Sequence, residues 1–487
     1  EAKSFRQGFF SKLDVWCVAN FGNLAYVLFA GRTNLPAACL FYRPKQSDDG
    51  HGSIATFAPF VTEQDSNRPS KAGGQVDTWN ILVRATDWRE IDRDEAAKGE
   101  RLTWKLAMWG SERDQRLLRR IARFPRFEAW SKQGGIIAAQ GPEIREQNSQ
   151  GTYPHNSELI GKRKVSFTGL RGTRRLFTLP ASCLLPPLKA SECYVRRAGG
   201  LEVGEPPHLL FDEARRFAIF HNEYAIIPPR QIGIHGKNTK LLKALSLYLC
   251  SLPARWHQFF VSSHWGVSLS IATLADLRTL PIPLSPFEDN TIAELAELYD
   301  ALAKDEQNAF SEQDRLLAKA ENVIAKLLGL RSHERDLIEG FFAGPYECVH
   351  GKFPSQALDV ASVSDIRRYC KVLRRELDDY LEERGVHHDI LALIDSKQVC
   401  LAIEGKRTKE PLDPKIEELN GKKPDFFQRI STELRQKHSQ RVYFEKTLFF
   451  YQRGQMLFLK PRRALEWNAR RALLDADDLI GELLAGT

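Results

Sequence analysis

The sequence predicts a mixed α/β and α+β chain with more than one domain. Three observations carry that reading. The chain has 487 residues, enough for about three domains at roughly 100–200 residues each. Hydrophobic residues make up 43% and charged residues 27%, a balance that supports a sizeable core and excludes wholesale disorder. The hydrophobic pattern also changes along the chain. Short β-type runs with Gly and Pro punctuation occupy residues 162–283, and helical periodicity dominates from Thr291 onward.

Taken in order, Phe5 and Phe9 share one helical face. Val15 to Phe21 reads as a strand, and Pro36 to Tyr42 as a second, nearly continuous apolar strand that stops before Pro44. Runs that are apolar on both sides suit a sheet covered by helices on both faces, so this helix–strand–loop–strand pattern reads as the closing edge of an α/β domain. Residues 46–80 are polar and turn-rich. Leu117, Leu118, Ile121 and Phe124 give a helix its apolar face, and the glycine-bracketed run from Gly134 to Gly141 predicts a strand.

Glu143 to Asn156 reads as a polar linker before a new domain. Lys164–Phe167 and Leu176–Leu179 flank Arg171-Gly172-Thr173, which predicts a hairpin with a basic tip. Leu241 to Leu252 is helical, and Leu280-Pro281-Ile282-Pro283 closes the domain. Beyond it, Ile292, Leu295, Leu298 and Leu302 recur at helical spacing, as do Leu316, Ala320, Val323, Ile324 and Leu327. Gly329 is a stop signal, and Ser332 with Glu334 opens the next helix. Two late strands, Arg441–Phe444 and Met456–Lys460, precede a closing helix around Ala472–Leu484. The expected domains are residues 1–60 (edge of an α/β domain), 61–155 (connecting segment), 156–290 (mixed α/β domain) and 291–487 (helical, with a small late hairpin).

The chain carries 70 Lys+Arg against 62 Asp+Glu, a net of +8. That excess permits nucleic-acid binding without requiring it. No apolar run approaches the ~18 residues of a membrane span, so no membrane is expected. The eight cysteines are scattered with no C-x-x-C pair, which favours a reducing cytoplasm over a disulfide scaffold or a zinc ribbon. The chain opens on Glu1, with no initiator Met or signal peptide, and is expected to be the later part of a longer protein or a processed product.

Charge is concentrated in one place. Between Gly161 and Gly200 stand Lys162, Arg163, Lys164, Arg171, Arg174, Arg175, Lys189, Arg196 and Arg197, opposed only by Glu192. The whole chain's excess of +8 therefore sits in one short stretch. Such a surface is either a solvated face or a phosphate-binding one, and Arg also reads guanine bidentately. Lys237, in a loop between His235-Gly236 and Asn238, is a further phosphate-contact candidate or an ordinary turn lysine. Trp256 and Trp265, beside His257 and His264, are more simply read as core than as base-stacking residues. These histidines lack a second ligand pair, so no metal site is expected.

Glu404-Gly405-Lys406 has the E-x-K spacing used by metal-dependent nucleases, with Asp395 or Asp389 as the partner acid. The following Lys-Arg-Thr-Lys also lets it be read as a turn. Phosphate-cradling and dinucleotide-binding glycine loops, an Asn/Asp-Pro-Pro-aromatic tetrapeptide and a G-x-S-x-G elbow are all missing, so the chain shows no complete active site.

Several segments together resemble N6-adenine DNA methyltransferases of restriction–modification or phage-defence type. Phe5-Arg6, Val15 to Phe21, Leu28-Phe29 and Pro36 to Phe41 resemble the end of that family's catalytic domain, a Rossmann-like sheet. Thr103-Trp104-Lys105, Met108-Trp109-Gly110 and Arg113-Asp114 resemble its lead into the target-recognition domain. Trp265-Gly266, Ala275 to Arg278 and Leu280 to Pro283 resemble the end of that domain. Lys460-Pro461, Trp467 and Ala472 to Asp478 resemble the family's C-terminus. The resemblance implies a target-recognition domain that binds double-stranded DNA, with Arg163, Lys164, Arg171, Arg174, Arg175, Arg196, Arg197 and Lys237 as the contact residues. The family's glycine-rich S-adenosylmethionine loop and its Asn-Pro-Pro-Tyr strand are missing here. S-adenosylmethionine is therefore expected in the complete enzyme and not on this chain alone. No catalytic residue is carried over, and the chain alone is expected to be inactive. Its partner would be an N-terminal catalytic region or a separate catalytic subunit. The alternatives are a non-catalytic DNA specificity subunit and a nuclease built on Glu404 and Lys406.

Overall fold

The computed structural model describes residues 2–24, 28, 36–46, 52–69, 75–84, 87–146, 153–166, 175–197, 199–267, 269–307, 310–351, 355–419, 442–445, 448–452 and 454–485. The class is mixed α and β, with several small sheets. Two compact units form. One comprises Glu1–Gln115, Gly266–Ser268 and Arg331–Thr487, and the other Arg116–Trp265 and Leu269–Leu330.

The first unit opens with the helix Ala2–Lys12 and strand β1 (Leu13–Asn20), as the pattern predicts. β2 (Ala38–Pro44) runs antiparallel to β1, and β3 (Ser53–Phe57) runs parallel to it. Phe60–Pro69 and Gln75–Arg84 form β4 and β5, and β6 (Arg89–Asp92) completes a four-stranded sheet ordered β2-β1-β3-β6. Val15, Val18, Ile54, Ile91 and Ala96 make its core, with Phe9, Phe10 and Trp104 against them. Two expectations change here. Every residue of β2 is exposed, since among the described residues β2 is the edge strand and only Tyr42, against the Phe9 ring, meets a ring of the opening helix. The polar stretch 46–80 also contributes strands, since register with a neighbour can hold a polar sequence extended.

The second unit centres on a four-stranded antiparallel sheet. Its strands are β7 (Ile137–Gln140), β12 (His208–Phe211), β13 (Ala218–His221) and β14 (Ile232–His235), in the order β13-β12-β14-β7. Two short pairs accompany it. β8 (Glu143–Arg145) pairs with β11 (Tyr194–Arg197), and β9 (Arg163–Val165) pairs with β10 (Leu184–Pro187). Val165, Val203, Leu210, Phe217 and Ile219 are core, each removing apolar surface worth about 1.5–3 kcal/mol for a large side chain. The helices Thr239–Leu249 and Asn290–Gln307 belong to this unit. Tyr299 on the latter accepts a hydrogen bond from the Phe220 amide at 2.8 Å. Trp256 and Trp265 are fully buried core residues.

The region 291–487 is not one helical domain. Its first part, to Leu330, belongs to the second unit, and the remainder belongs to the first. Gly329 ends the helix Gln313–Leu327 region with φ +60°, as its position predicts. The next helix begins at Ser332 itself. Arg331 occupies the cap position and Glu334 accepts its backbone N–H at 2.8 Å. After the helix Val363–Leu381 come β15 (Val386–Ile394), β16 (Gln398–Arg407), β17 (Lys415–Glu418), β18 (Val442–Glu445), β19 (Leu448–Gln452) and β20 (Gln455–Pro461). Five of them form a sheet ordered β17-β15-β16-β20-β19, larger than the expected late hairpin. β18 instead runs parallel to β5, from far earlier in the chain. The closing helix is Ala469–Ala485.

Candidate nucleic-acid interface

The predicted basic hairpin is arranged differently. β9 takes β10 as its partner, with Val165 opposite Leu184 and Arg163 opposite Pro187, not the segment around Leu176–Leu179. Arg171 and Arg174 lie outside the described residues. β8 falls inside the expected linker, and its pairing with β11 places Tyr194 opposite Arg145 and Arg197 opposite Glu143. Ile144, Leu159, Cys193, Val195 and Ile226 anchor this pair from beneath, so its charged residues are held on the outer side.

The result is a groove of about 920 Å³ in the second unit. Arg145, Lys164, Lys189 and Arg196 line it with Tyr153, and Glu146 and Glu192 are its acids. Its floor includes Ile144 and the Leu185-Pro186-Pro187-Leu188 segment. Pro186 and Pro187 donate no backbone hydrogen bond, which suits a strand facing an open groove. Beside it, Glu143 accepts a hydrogen bond from Arg145 at 2.5 Å and from Arg196 at 3.1 Å, and Arg197 Nε lies 3.8 Å away. The Arg145 hydrogen bond holds the Glu143 carboxyl below its ordinary range. One carboxylate thus gathers three guanidiniums. Lys162 is set differently, over the Tyr224 ring at 4.3 Å.

Of the residues singled out from sequence, Lys164 and Arg196 line the groove, and Arg197 adjoins it through Glu143. Arg163 is exposed on β9. Lys237 is exposed in the loop before the Asn238 helix cap and does not line the groove. Arg175 is drawn inward. It is half-buried, donates to the Ser246 carbonyl at 3.1 Å and lies over the Phe177 ring. Arg145 and Tyr153 were missed because they sit in the polar segment before the basic cluster. Only strand pairing brings them to it.

In the first unit the E-x-K fragment is strand, not turn. Asp389 on β15 stands directly opposite Glu404 on β16. Lys406 Nζ lies 2.7 Å from Asp389 Oδ2 and 3.4 Å from Glu404 Oε2, and Lys415 reaches Asp389 at 3.5 Å. The Lys406 hydrogen bond lowers the Asp389 carboxyl, and Asp389 in turn raises the Lys406 ammonium. Asp395 sits at the far end of the same hairpin, so Asp389 is the acid that joins the motif. Among the described residues no three His, Cys, Asp or Glu side chains form a metal-binding group. No disulfide joins the cysteines among the described residues. No described helix is long and apolar enough to cross a membrane.

No protein-family model matches the chain, and no curated protein is detectably similar to it.

Proposed function

We propose that this chain reads DNA as the target-recognition part of an S-adenosylmethionine-dependent N6-adenine methyltransferase. The observation that carries the proposal is the groove in which Arg145, Lys164, Lys189 and Arg196 converge. Four cations against two acids favour a polyanion. The open groove suits a nucleic-acid backbone, with arginines available for base edges. The order of the family-like segments supports the methyltransferase assignment. S-adenosylmethionine and the chemistry at adenine N6 belong to a catalytic region outside this chain, and no residue here is assigned to them. Such enzymes flip the target base from the duplex, because the amino group is out of reach within the stack.

The test is anisotropy of a labelled duplex across salt concentrations. The log–log slope should be several units, at about 0.9 per neutralised phosphate. Replacing Lys164, Lys189 and Arg196 with Ala together should weaken binding and flatten the slope by roughly two to three units. Unchanged affinity in that variant would remove the groove as the contact surface.

The Asp389, Glu404 and Lys406 cluster supports a second reading, metal-dependent nucleic-acid cleavage. A carboxylate pair would hold the cation, and Lys406 would polarise the attacked phosphate. Cleavage with Mg²⁺ that Glu404→Ala abolishes is the expected sign. Cleavage that persists in the variant rejects this reading.

A further inference from the structure

A second set of arginines in the same unit faces a different space. Arg175, Arg215, Arg216 and Arg255 line a cavity of about 490 Å³, with Asp314 and Glu321 as its acids. Arg216 is satisfied by Asp212, at 2.7 Å. Glu321 accepts the Leu252 amide at 3.0 Å.

Arg215 is the unusual member. It is 1% exposed, yet among the described residues no carboxylate forms an ion pair with it. Its contacts are the Gln258 side-chain oxygen at 2.6 Å, the Asp212 carbonyl at 3.4 Å and the Phe211 ring at 4.3 Å. Its Nε is buried with no hydrogen-bond partner, and the same is true of Arg175 Nε. Its backbone sits at φ +59°, in the left-handed region. A buried guanidinium is costly to dehydrate, and Asp276, Asp212 and Glu213 offset that cost without forming an ion pair with Arg215, so a bound anion would add compensation. Arg175 and Arg215 both line the cavity, and a guanidinium presents planar, paired donors in a fork that fits a phosphate's oxygens. We propose that this cavity is an oxyanion site that takes a phosphate group, held by Arg175 and Arg215 with Arg255 as third cation. Burial brings Arg215 down to about 10, so it remains charged at neutral pH. The volume falls in the range of small-ligand pockets. The site shares no lining residue with the groove above and does not rest on the DNA reading.

Thermal melting of the full chain in inorganic phosphate, at ionic strength fixed with chloride, tests the proposal. Wild type should show a saturable rise in Tm of about 2 °C or more. Arg175→Gln should lose it, and Arg196→Gln, in the groove, should keep it. Arg255→Gln is judged by the same criterion should Arg175→Gln fail to fold. Titration with a nucleoside monophosphate and with a short single-stranded oligonucleotide then separates the sources. Arg175-dependent binding of the monophosphate assigns the site to a free phosphate ester, and Arg175-dependent binding of the oligonucleotide alone assigns it to a backbone phosphate. A phosphate response that is absent, or equal in wild type and both cavity variants, overturns the proposal.

Discussion

Arg196 Nη1 lies 3.1 Å from Glu143 Oε1, and the same oxygen takes Arg145 Nη2 at 2.5 Å. Both arginines are about half exposed, so solvent screens the pairs and they contribute little to stability. Toward a polyanion the carboxylate is a like charge. Glu143→Gln should therefore raise duplex affinity at low salt. Loss of one like charge beside the bound backbone should raise it roughly fivefold. The salt slope should steepen by about 0.9 if a freed arginine takes up a phosphate. A fall in affinity would show instead that Glu143 orients its arginines for contact.

Lys460 Nζ lies 2.6 Å from Asp475 Oδ2, with both side chains out of water. Tyr369 donates to the same carboxylate at 2.5 Å, and Arg471 pairs with its other oxygen. Asp475→Asn leaves two buried cations facing a neutral amide. Urea denaturation should show a loss of about 3–5 kcal/mol. Lys415→Ala, at an exposed pair, should change stability by no more than about 0.5 kcal/mol. Equal effects would mean that the buried pair is not a stabilising unit.

His221, His208 and His235 stand side by side across β13, β12 and β14. Burial, with the neighbouring His221, pushes His208 down to about 4, and burial alone pushes His257 to about 3. Both are neutral in the folded state, whereas the unfolded chain protonates near pH 6.5. A depressed histidine contributes stability above about 6.5 that is lost as pH falls toward the folded value. For His208 the loss amounts to roughly 3 kcal/mol. Unfolding curves from pH 7 to pH 4 should show it, and His208→Leu should flatten the dependence. An unchanged acid profile in that variant would place the sensitivity elsewhere.

Gly340 lets the helix Ser332–Ala343 approach Arg470 closely. A Cβ there would stand 2.4 Å from Arg470 Cβ and 2.5 Å from its backbone nitrogen. Arg470 cannot yield freely, because it holds Asp114 through two 2.7 Å hydrogen bonds in a buried pair. Gly340→Ala should cost about 1–3 kcal/mol, read as a lower melting temperature. A neutral effect would show that the two helices can shift apart.

Local periodicity made much of the fold legible. The opening helix, β1, β2, β7, the helix from Thr239, the helices after Asn290 and the late strands β18 and β20 all stand where apolar spacing puts them. The E-x-K spacing likewise named residues that the hairpin brings together with Asp389. β15 and β16 were not anticipated, since five-residue apolar runs such as Ile390–Ile394 carry no period that separates strand from helix.

From the sequence itself come the helices, several strands, the mixed class and the basic stretch between Gly161 and Gly200. These depend on residue spacing and charge, which are local properties. Tertiary structure alone decided that β9 pairs with β10, that Arg145 joins Arg196 around Glu143, and that Arg175 turns inward toward Arg215 instead of into the groove. It also assigned Asn290–Gln307 to one unit and Val363–Leu381 to the other. Periodicity states which face of a segment is apolar. Which distant segment covers that face depends on burial and hydrogen bonding summed over the whole chain.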